Sequence, residues 1–403
     1  MTSALEGLRI LDLSRVLAGP VCTQILGDLG AEIIKIEKPG EGDDTRRWGP
    51  PFLKDKDGKN TQESAYYLAA NRNKKSVTID IAKPEGQKLI HALAAKSDVL
   101  IHNFKPGGLD KYGLGFDAMH AAHPHLVYTA ISGFGQTGPL SSEPGYDLMA
   151  QAMGGLMGHT GEVDGTPMKS GVAVVDVMTG LYAAIGTLAA LQARAKTGKG
   201  QLVDLALLDV TLASMTNLAQ FYLTSGKAPQ RFGNAHSTIV PYQQFEGSDG
   251  HMVIAVGNNH QFAAFAEALG HPEWSENPDF ARNDARVQNR DVLVPLIQDI
   301  LKKKPVAGWI ALFREIDIPA APVNSIDQVF AIPQIQSRGM EVEMAHPASS
   351  APIHLVGSPF HLSETPVSYR MAPPTMGQHT ESLLAELGLS ASELADLKAK
   401  NII

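Results

Sequence analysis

Three consecutive stretches decide the fold: Arg9-Ile-Leu-Asp-Leu13, the helical pattern from Pro20 to Leu29 closed by Gly30, and Glu32-Ile-Ile-Lys-Ile-Glu37. The first and third are short apolar runs of the kind that forms buried strands, and the second carries helical spacing with a glycine stop. Together they make a βαβ unit, whose crossover is right-handed and whose strands are therefore parallel neighbours. Ser76-Val-Thr-Ile-Asp-Ile81, the helix from Pro84 to Ala95 and Val99-Leu-Ile-His-Asn-Phe104 repeat the unit, and Leu126-Val-Tyr-Thr-Ala-Ile131 adds a strand. The expectation is an α/β fold with a large, doubly wound, Rossmann-like domain.

Working outward, 403 residues exceed what one simple core organises, so two domains are expected. The texture turns polar and glycine-bearing near Lys227-Ala-Pro-Gln-Arg-Phe-Gly-Asn-Ala-His236. Beyond it His251-Met-Val-Ile-Ala-Val256 reads as a strand, and helical patterns follow around Gln261 to Leu269, Asp291 to Lys303 and Val306 to Ile316. Strands return at Met340 to Met344 and Ile353 to Leu362, then a helix near Gln378 to Leu387. The expected division is residues 1–225 in the large domain, 226–325 in a smaller α+β domain, and 326–403 returning to complete the first.

A formal charge of -8 with no basic block argues against a nucleic-acid partner. The one cysteine, Cys22, has no partner for an internal disulfide and fits a reducing compartment. The N-terminus lacks a charged-then-apolar signal pattern and no apolar run is read as reaching spanning length, so a soluble, cytoplasmic protein with no membrane partner is expected. Ser14-Arg-Val-Leu-Ala-Gly-Pro20 stands where a dinucleotide fingerprint would lie, and Gly198-Lys199 lacks the remainder of a phosphate loop. His120-Ala-Ala-His-Pro-His125 fits no metal-ligand spacing, and no metal is expected.

The richest functional signal is Gly171-Val-Ala-Val-Val-Asp-Val-Met-Thr-Gly180, which sets one carboxylate, Asp176, at the entrance of a long apolar helix. Two readings stand: a helix cap, or a nucleophile kept ionised by the helix's positive end and reached past the side-chain-free glycines. Gly145-Tyr146-Asp147 opens another run of small apolar residues; were the two helices neighbours, Asp147 and Asp176 would share a site. Lys35, Lys38, Arg46, Arg47, Arg72, Lys74, Lys75, Lys105 and Lys111 fall at or near strand ends and loops, where open α/β sheets bind ligands; each also reads as a solvated rim residue.

Taken in order, Leu11-Asp-Leu-Ser-Arg-Val-Leu-Ala-Gly-Pro20, Gly27 to Pro39, Gly42-Asp-Asp-Thr-Arg46, Asn71-Arg-Asn-Lys-Lys-Ser76, Asn103-Phe-Lys-Pro-Gly107, Gly145-Tyr-Asp147, Asp176 with Thr179-Gly180, and Lys196-Thr-Gly-Lys-Gly-Gln201 resemble the class III CoA-transferase (CaiB/BaiF) family from end to end. Gly42 to Phe52, Gly233 to Tyr242 and Val256 to Phe262 most resemble its succinyl-CoA:glutarate or succinate–hydroxymethylglutarate branch. The resemblance implies an interlocked homodimer, coenzyme A and acyl-CoA as substrates with no tightly bound cofactor, and Asp176 as the nucleophile that forms aspartyl anhydride and aspartyl-CoA thioester intermediates. It places Val16, Leu17, Ala18, Lys38, Asn103, Phe104 and Lys111 against CoA, and Tyr146 and Asp147 beside the thioester. A dicarboxylic acceptor needs a cationic fork for its second carboxylate; Arg46 is the first choice, with Arg47, Arg72 and His236 as alternatives. The oxalate-handling members differ at Leu17, where they have glutamine, and at His236-Ser-Thr-Ile239, where they have a glycine-rich flap. Itaconate, mesaconate, citramalate and carnitine remain other acceptors. The rival activity, an α-methylacyl-CoA racemase, resembles this chain but carries histidine where Tyr146 stands, and tyrosine is a poor base at neutral pH.

Overall fold

The computed structural model describes residues 3–403, which separate into two compact units. The first comprises residues up to 156, 169–220 and 334–403; the second comprises 157–168 and 221–333.

In chain order, the first unit contains β1 (Arg9–Asp12), β2 (Glu32–Glu37), a hairpin of β3 (Phe52–Lys54) and β4 (Asn60–Ser64), then β5 (Lys74–Thr78), β6 (Val99–His102), β7 (Val127–Ser132) and β8 (Leu202–Ala206). Six of these form one sheet in the order β5-β2-β1-β6-β7-β8, with every pairing parallel. The order runs outward in opposite directions from β1 and β6, so the loops after these two strands diverge and leave a crevice. Alternate strand residues feed two cores. Leu11, Ile34, Ile36 and Leu100 join Leu89 and Leu93 of helix Pro84–Ala94 and Leu383 and Leu394 of the C-terminal helices Thr380–Glu386 and Ala391–Ala399. Ile10, Ile33, Val99, Ile101 and Val127 join Ala18, Cys22 and Leu26 of helix Ala18–Asp28 and Val175, Ala183 and Ala190 of helix Val174–Thr197. Helices on both faces make the unit doubly wound.

The βαβ reading holds for the first strands, with three differences elsewhere. β5 begins at Lys74 rather than Ser76 because the Lys74 ammonium is buried, donating to the carbonyl of Pro20 at 2.9 Å and to Asn71 Oδ1 at 3.0 Å. β8, the edge strand, was not legible as a strand, since Leu202-Val-Asp-Leu-Ala206 is short and interrupted by Asp204. Helix Val174–Thr197 corrects the expectation that no apolar run reaches spanning length: its 24 residues are long and apolar enough to cross a membrane. It packs instead on β7, β8 and helix Ala18–Asp28.

The second unit has β9 (Tyr242–Glu246), β10 (His251–Ala255) and β11 (Ala320–Pro322) as an antiparallel sheet with β10 central. Met252 and Ile254 point inward from β10 and meet Phe262 and Phe265 of helix Asn259–Ala268, Leu293 and Ile297 of helix Arg290–Leu301, and Trp309 and Phe313 of helix Val306–Glu315. The chain then returns to the first unit as the hairpin β12 (Glu341–Met344) and β13 (Ile353–Val356), and Arg370 donates to the carbonyls of Gly27, Gly30 and Ala31.

Two glycines named in the sequence behave differently. Gly171 has nothing within 4 Å of a built Cβ, whereas a Cβ at Gly180 would stand 2.8 Å from the Ala18 carbonyl oxygen and 2.9 Å from Val21 Cγ1. Gly180 is thus a helix-crossing contact, not the open space the sequence suggested. Gly180→Ala should lose stability by about 1–3 kcal/mol through overpacking, outweighing the roughly 1 kcal/mol of helix propensity gained. Gly171→Ala should stay within about 0.5 kcal/mol of the parent. Urea midpoints for the two variants check this, and equal midpoints would refute the crossing constraint.

Candidate active site

The crevice between the loops after β1 and β6 holds a cavity of about 680 Å³, lined by Val16, Leu17 and Ala18 on one side, Asn103, Phe104 and Lys111 on another, and Tyr146 and Asp176 on a third. A second cavity of about 290 Å³ shares Arg15, Phe104 and Tyr112 with it and extends along Lys38 and Ile79 to Ala82.

Each wall has a physical cause. Asn103 stitches the two loops together, accepting from the Arg15 N–H at 2.9 Å and donating to the Arg15 carbonyl at 2.7 Å. Val16 is held at φ +69°, a left-handed conformation that a β-branched residue adopts only under constraint. The constraint is a buried charge pair. Lys35 Nζ donates to the Ser14 carbonyl at 3.0 Å and to Asp43 at 2.8 Å, and Asp43 accepts from the N–H of Val16 at 3.3 Å and of Thr45 at 3.0 Å. Burial pushes the Asp43 carboxyl up, but Lys35 and the hydrogen bonds from Thr45 overcome this and bring it down to about 2. On the adjoining wall the backbones of Gly133 and Gly145 meet: a Cβ built on Gly145 would lie 2.3 Å from the Gly133 Cα. No other residue permits that approach, which sets Tyr146 over the end of β7.

Asp176 lies in the first turn of helix Val174–Thr197 but does not cap it; the helix start has no side-chain cap of its own. Asp147, reaching from helix Asp147–Met153, serves instead: its Oδ1 accepts from the N–H groups of Val175 at 2.9 Å and Asp176 at 3.2 Å. This settles one of the two sequence readings of Asp176 and alters the other. The helix N–H groups that would hold Asp176 ionised are occupied by Asp147, and burial, reinforced by the charge of Asp147, pushes Asp176 up to about 7. Asp147 spends both carboxylate oxygens on these N–H groups and on the side chain of Gln151.

The candidate acceptor cations divide. Arg46 is 2% exposed, with Glu37 on its Nε and Nη2, Glu63 on its Nη1, and Tyr67 and the Pro374 carbonyl sharing Nη2. Arg72 is buried against Asp28 and donates to the Val356 carbonyl. Both are committed inside the first unit, which corrects their reading as forks for a substrate. Arg47 stays exposed, 3.8 Å from Asp44. His236, in the second unit, accepts from the Thr238 N–H on Nδ1 and stacks obliquely on Tyr242, while Arg290 donates to its carbonyl. Lys38 is exposed and paired with Glu41, and the Lys111 ammonium sits 4.8 Å above the Tyr112 ring.

Two residues of the site were missed. Arg15 borders both voids, pairs with Asp44 at 2.8 Å and lies 5.5 Å over Phe104; it follows a strand in the sequence but was not singled out there. Tyr66 is near enough to Asp176 and Asp147 for their charges, after burial, to raise its phenol, and Trp48 packs edge-on against it at 5.3 Å. Nothing in Ala65-Tyr66-Tyr67 tells the tyrosine near the site from the one locked to Arg46. Among the described residues, no three His, Cys, Asp or Glu side chains are grouped to hold a metal ion.

Comparison with known proteins identifies the class. The profile of CoA-transferase family III matches residues 5–380, and the chain belongs to this family of CoA-transferring enzymes. It is 45% identical over 383 residues to the succinyl-CoA:glutarate CoA-transferase of Mus musculus, covering 95% of this chain and 86% of that one. It is 43% identical to the succinate–glutarate CoA-transferase of Agrobacterium fabrum, covering 95% of each. The crystal structure of a CaiB/BaiF family protein from Brucella suis superposes with a TM-score of 0.87 at 43% identity, covering 96% of this chain and all of that one.

The raised Asp176 carboxyl makes two measurable predictions. If its ionised form reacts, kcat/KM for acyl-CoA rises about tenfold per pH unit below 7 and levels above it. A flat profile from pH 5.5 to 8 would contradict this. Between pH 4 and 7 the folded chain keeps a proton that the unfolded chain has lost, so this group's contribution destabilises progressively as pH rises through that window. Asp176→Asn removes it, and its Tm should exceed the parent's at pH 8 but not at pH 4.

Proposed function

We propose that this enzyme moves CoA from succinyl-CoA to a free dicarboxylate, glutarate or hydroxymethylglutarate, with Asp176 as nucleophile. The observation carrying this reading is the position of Asp176, a first-turn carboxylate on the wall of the crevice where the sheet order reverses. Succinyl-CoA or succinate and glutarate are in the names of relatives that are 43–45% identical over 95% of the chain, and hydroxymethylglutarate comes from the resemblance of the segments Gly42 to Phe52, Gly233 to Tyr242 and Val256 to Phe262.

The Asp176 carboxylate attacks the thioester carbonyl, and CoA leaves as a thiolate, giving an aspartyl–succinyl anhydride. The thiolate attacks the aspartyl carbonyl, which releases succinate and forms an aspartyl-CoA thioester. The acceptor carboxylate displaces CoA from that thioester to form a second anhydride, and the thiolate then takes the new acyl group and frees Asp176. Each anhydride is open to hydrolysis, so the cavity must exclude water while thiolate and acid exchange. Val16, Leu17, Ala18, Asn103, Phe104 and Lys111 line the path assigned to CoA, Lys38 borders its extension, and Tyr146 flanks the thioester. Of the cations considered for the second carboxylate, Arg47 and His236 are left to read it, since Arg46 and Arg72 are occupied.

The same reading has two copies interlocked through large and small domains divided near residues 225 and 325. Leu181, Tyr182 and Ile185 support a covering partner: they are exposed on one helix of the first unit, Ile185 by 63%. We place the enzyme in the cytoplasm, in keeping with a single buried cysteine whose thiol burial pushes up.

Pure protein incubated with succinyl-CoA and a pool of glutarate, hydroxymethylglutarate, itaconate, malate, carnitine and oxalate should yield glutaryl- or hydroxymethylglutaryl-CoA by mass spectrometry. The product should vanish in Asp176→Ala, and Arg47→Ala should raise the KM for the dicarboxylate. Transfer only to other acids would reject the substrate assignment, and turnover by Asp176→Ala would reject the nucleophile.

A further inference from the structure

Gln151 is a fully buried polar side chain, 0% exposed, with both ends of its amide in use and no place on the cavity wall. Its Nε2 donates to Asp147 Oδ2 at 2.5 Å, and its Oε1 accepts from the Ser170 N–H at 2.9 Å. Asp147 and Gln151 stand four residues apart on helix Asp147–Met153 and so share one face of it. The other oxygen of Asp147 takes the N–H groups of Val175 and Asp176. Two adjacent side chains thereby grip the entry to helix Val174–Thr197 at two points, before the first turn at Ser170 and within it at Val175 and Asp176. Between these points lie Gly171-Val-Ala-Val174, where Gly171 and Val172 are exposed.

We infer that Gln151 is a positioning residue for the transfer reaction: it fixes the rotamer of Asp147 and the path of the chain from Ser170, and so the angle at which Asp176 faces the cavity. The inference rests on Asp176 being the nucleophile. Buried amides are seldom retained without a partner at each end, because an unmet donor or acceptor costs about 1–3 kcal/mol. Here the partners are the two segments whose relative placement aims one carboxylate. A nucleophile displaced by about 1 Å loses on the order of 100-fold in rate while ground-state binding elsewhere in the cavity persists. The loss should therefore fall on kcat and not on the KM for acyl-CoA.

Three variants test it. Gln151→Met keeps the volume and removes both hydrogen bonds; kcat should fall on the order of 100-fold with the KM for acyl-CoA within about threefold of the parent. Gln151→Glu keeps the acceptor for Ser170 but sets a second carboxylate against Asp147, and should be at least as impaired. The double variant, Asp147→Asn with Gln151→Glu, reverses the pair. The amide introduced at position 147 donates to the carboxylate introduced at position 151 and still accepts from the helix N–H groups, while that carboxylate accepts from Ser170. All four hydrogen bonds return with the charge moved one link from Asp176. This swap should recover kcat more than tenfold over Gln151→Glu, and its kcat/KM should level at a lower pH than the parent's. Assays run well below each variant's Tm keep simple unfolding out of the comparison, and if Gln151→Met does not fold, Gln151→Glu and the double variant decide. A Gln151→Met or Gln151→Glu enzyme within threefold of the parent kcat, or a swap that recovers nothing, would overturn the clamp while an inactive Asp176→Ala left the nucleophile in place. An active Asp176→Ala would overturn both.

Discussion

Helix Ala18–Asp28 lies on helix Val174–Thr197 only because residue 180 has no side chain, and the site depends on that crossing. The contact falls at the start of the first helix and four residues beyond Asp176 on the second. It brings the loop after β1, with its left-handed Val16, to the same wall as Asp176. The reversal of strand order between β1 and β6 supplies the opposite wall, and Asn103 bonds across the gap to Arg15. A general property of open parallel sheets locates the crevice. One glycine and one amide give it its particular shape.

Around this crevice the first unit buries an unusual amount of charge: Lys35 with Asp43, Lys74 with Asp12, Arg46 with Glu37 and Glu63, and Arg72 with Asp28. Such pairs are weak sources of stability, because desolvation consumes most of the Coulombic gain. Their value here is geometric. Asp12 accepts from the Ser14 N–H and the Thr23 hydroxyl, Lys35 and Asp43 hold the Ser14–Val16 turn, and Arg46 ties the segment after β2 to β4. Apolar residues of similar volume would fill the same space without directing any backbone group. The same burial brings Lys74 down to about 7 and, through desolvation outweighing Arg46, Glu63 up to about 7.

Periodicity made the central strands legible because β1, β2, β6 and β7 are short and built around buried branched residues, Ile10-Leu11, Ile33-Ile34 with Ile36, Val99 to Ile101, and Val127 with Ile131. It missed the start of β5, which opens on two lysines, and all of β8, whose residues at the sheet edge are mostly only half-buried. Neighbouring residues of one type defeated the reading of the site in the same way. Arg46 is buried and Arg47 exposed; Tyr67 is locked in the core and Tyr66 faces the charge of Asp176. Local pattern carries no information on such a choice, which is made by Glu37 and Glu63, residues remote in sequence that arrive only with the fold. The sequence brings Asp147 and Asp176 together only on condition that their helices are neighbours, and it does not say which of them caps the helix.

That last assignment bears on the chemistry. A carboxylate of ordinary pKa is always ionised at neutral pH but is a weak nucleophile; one raised to about 7 is more basic and is ionised about half the time. Had Asp176 kept the helix N–H groups for itself, its charge would have been stabilised and its reactivity damped. Giving them to Asp147 leaves Asp176 facing the cavity with burial and a neighbouring negative charge both acting against its ionisation. In the mechanism proposed above, an attacking Asp176 destabilised as an anion would gain most when its charge passes into the thioester, so part of the driving force for acylation would come from the fold itself. The cost is borne by the Asp147–Gln151 pair, which must keep a second, half-buried carboxylate beside the first, and its hydrogen bonds leave neither oxygen of Asp147 unmatched.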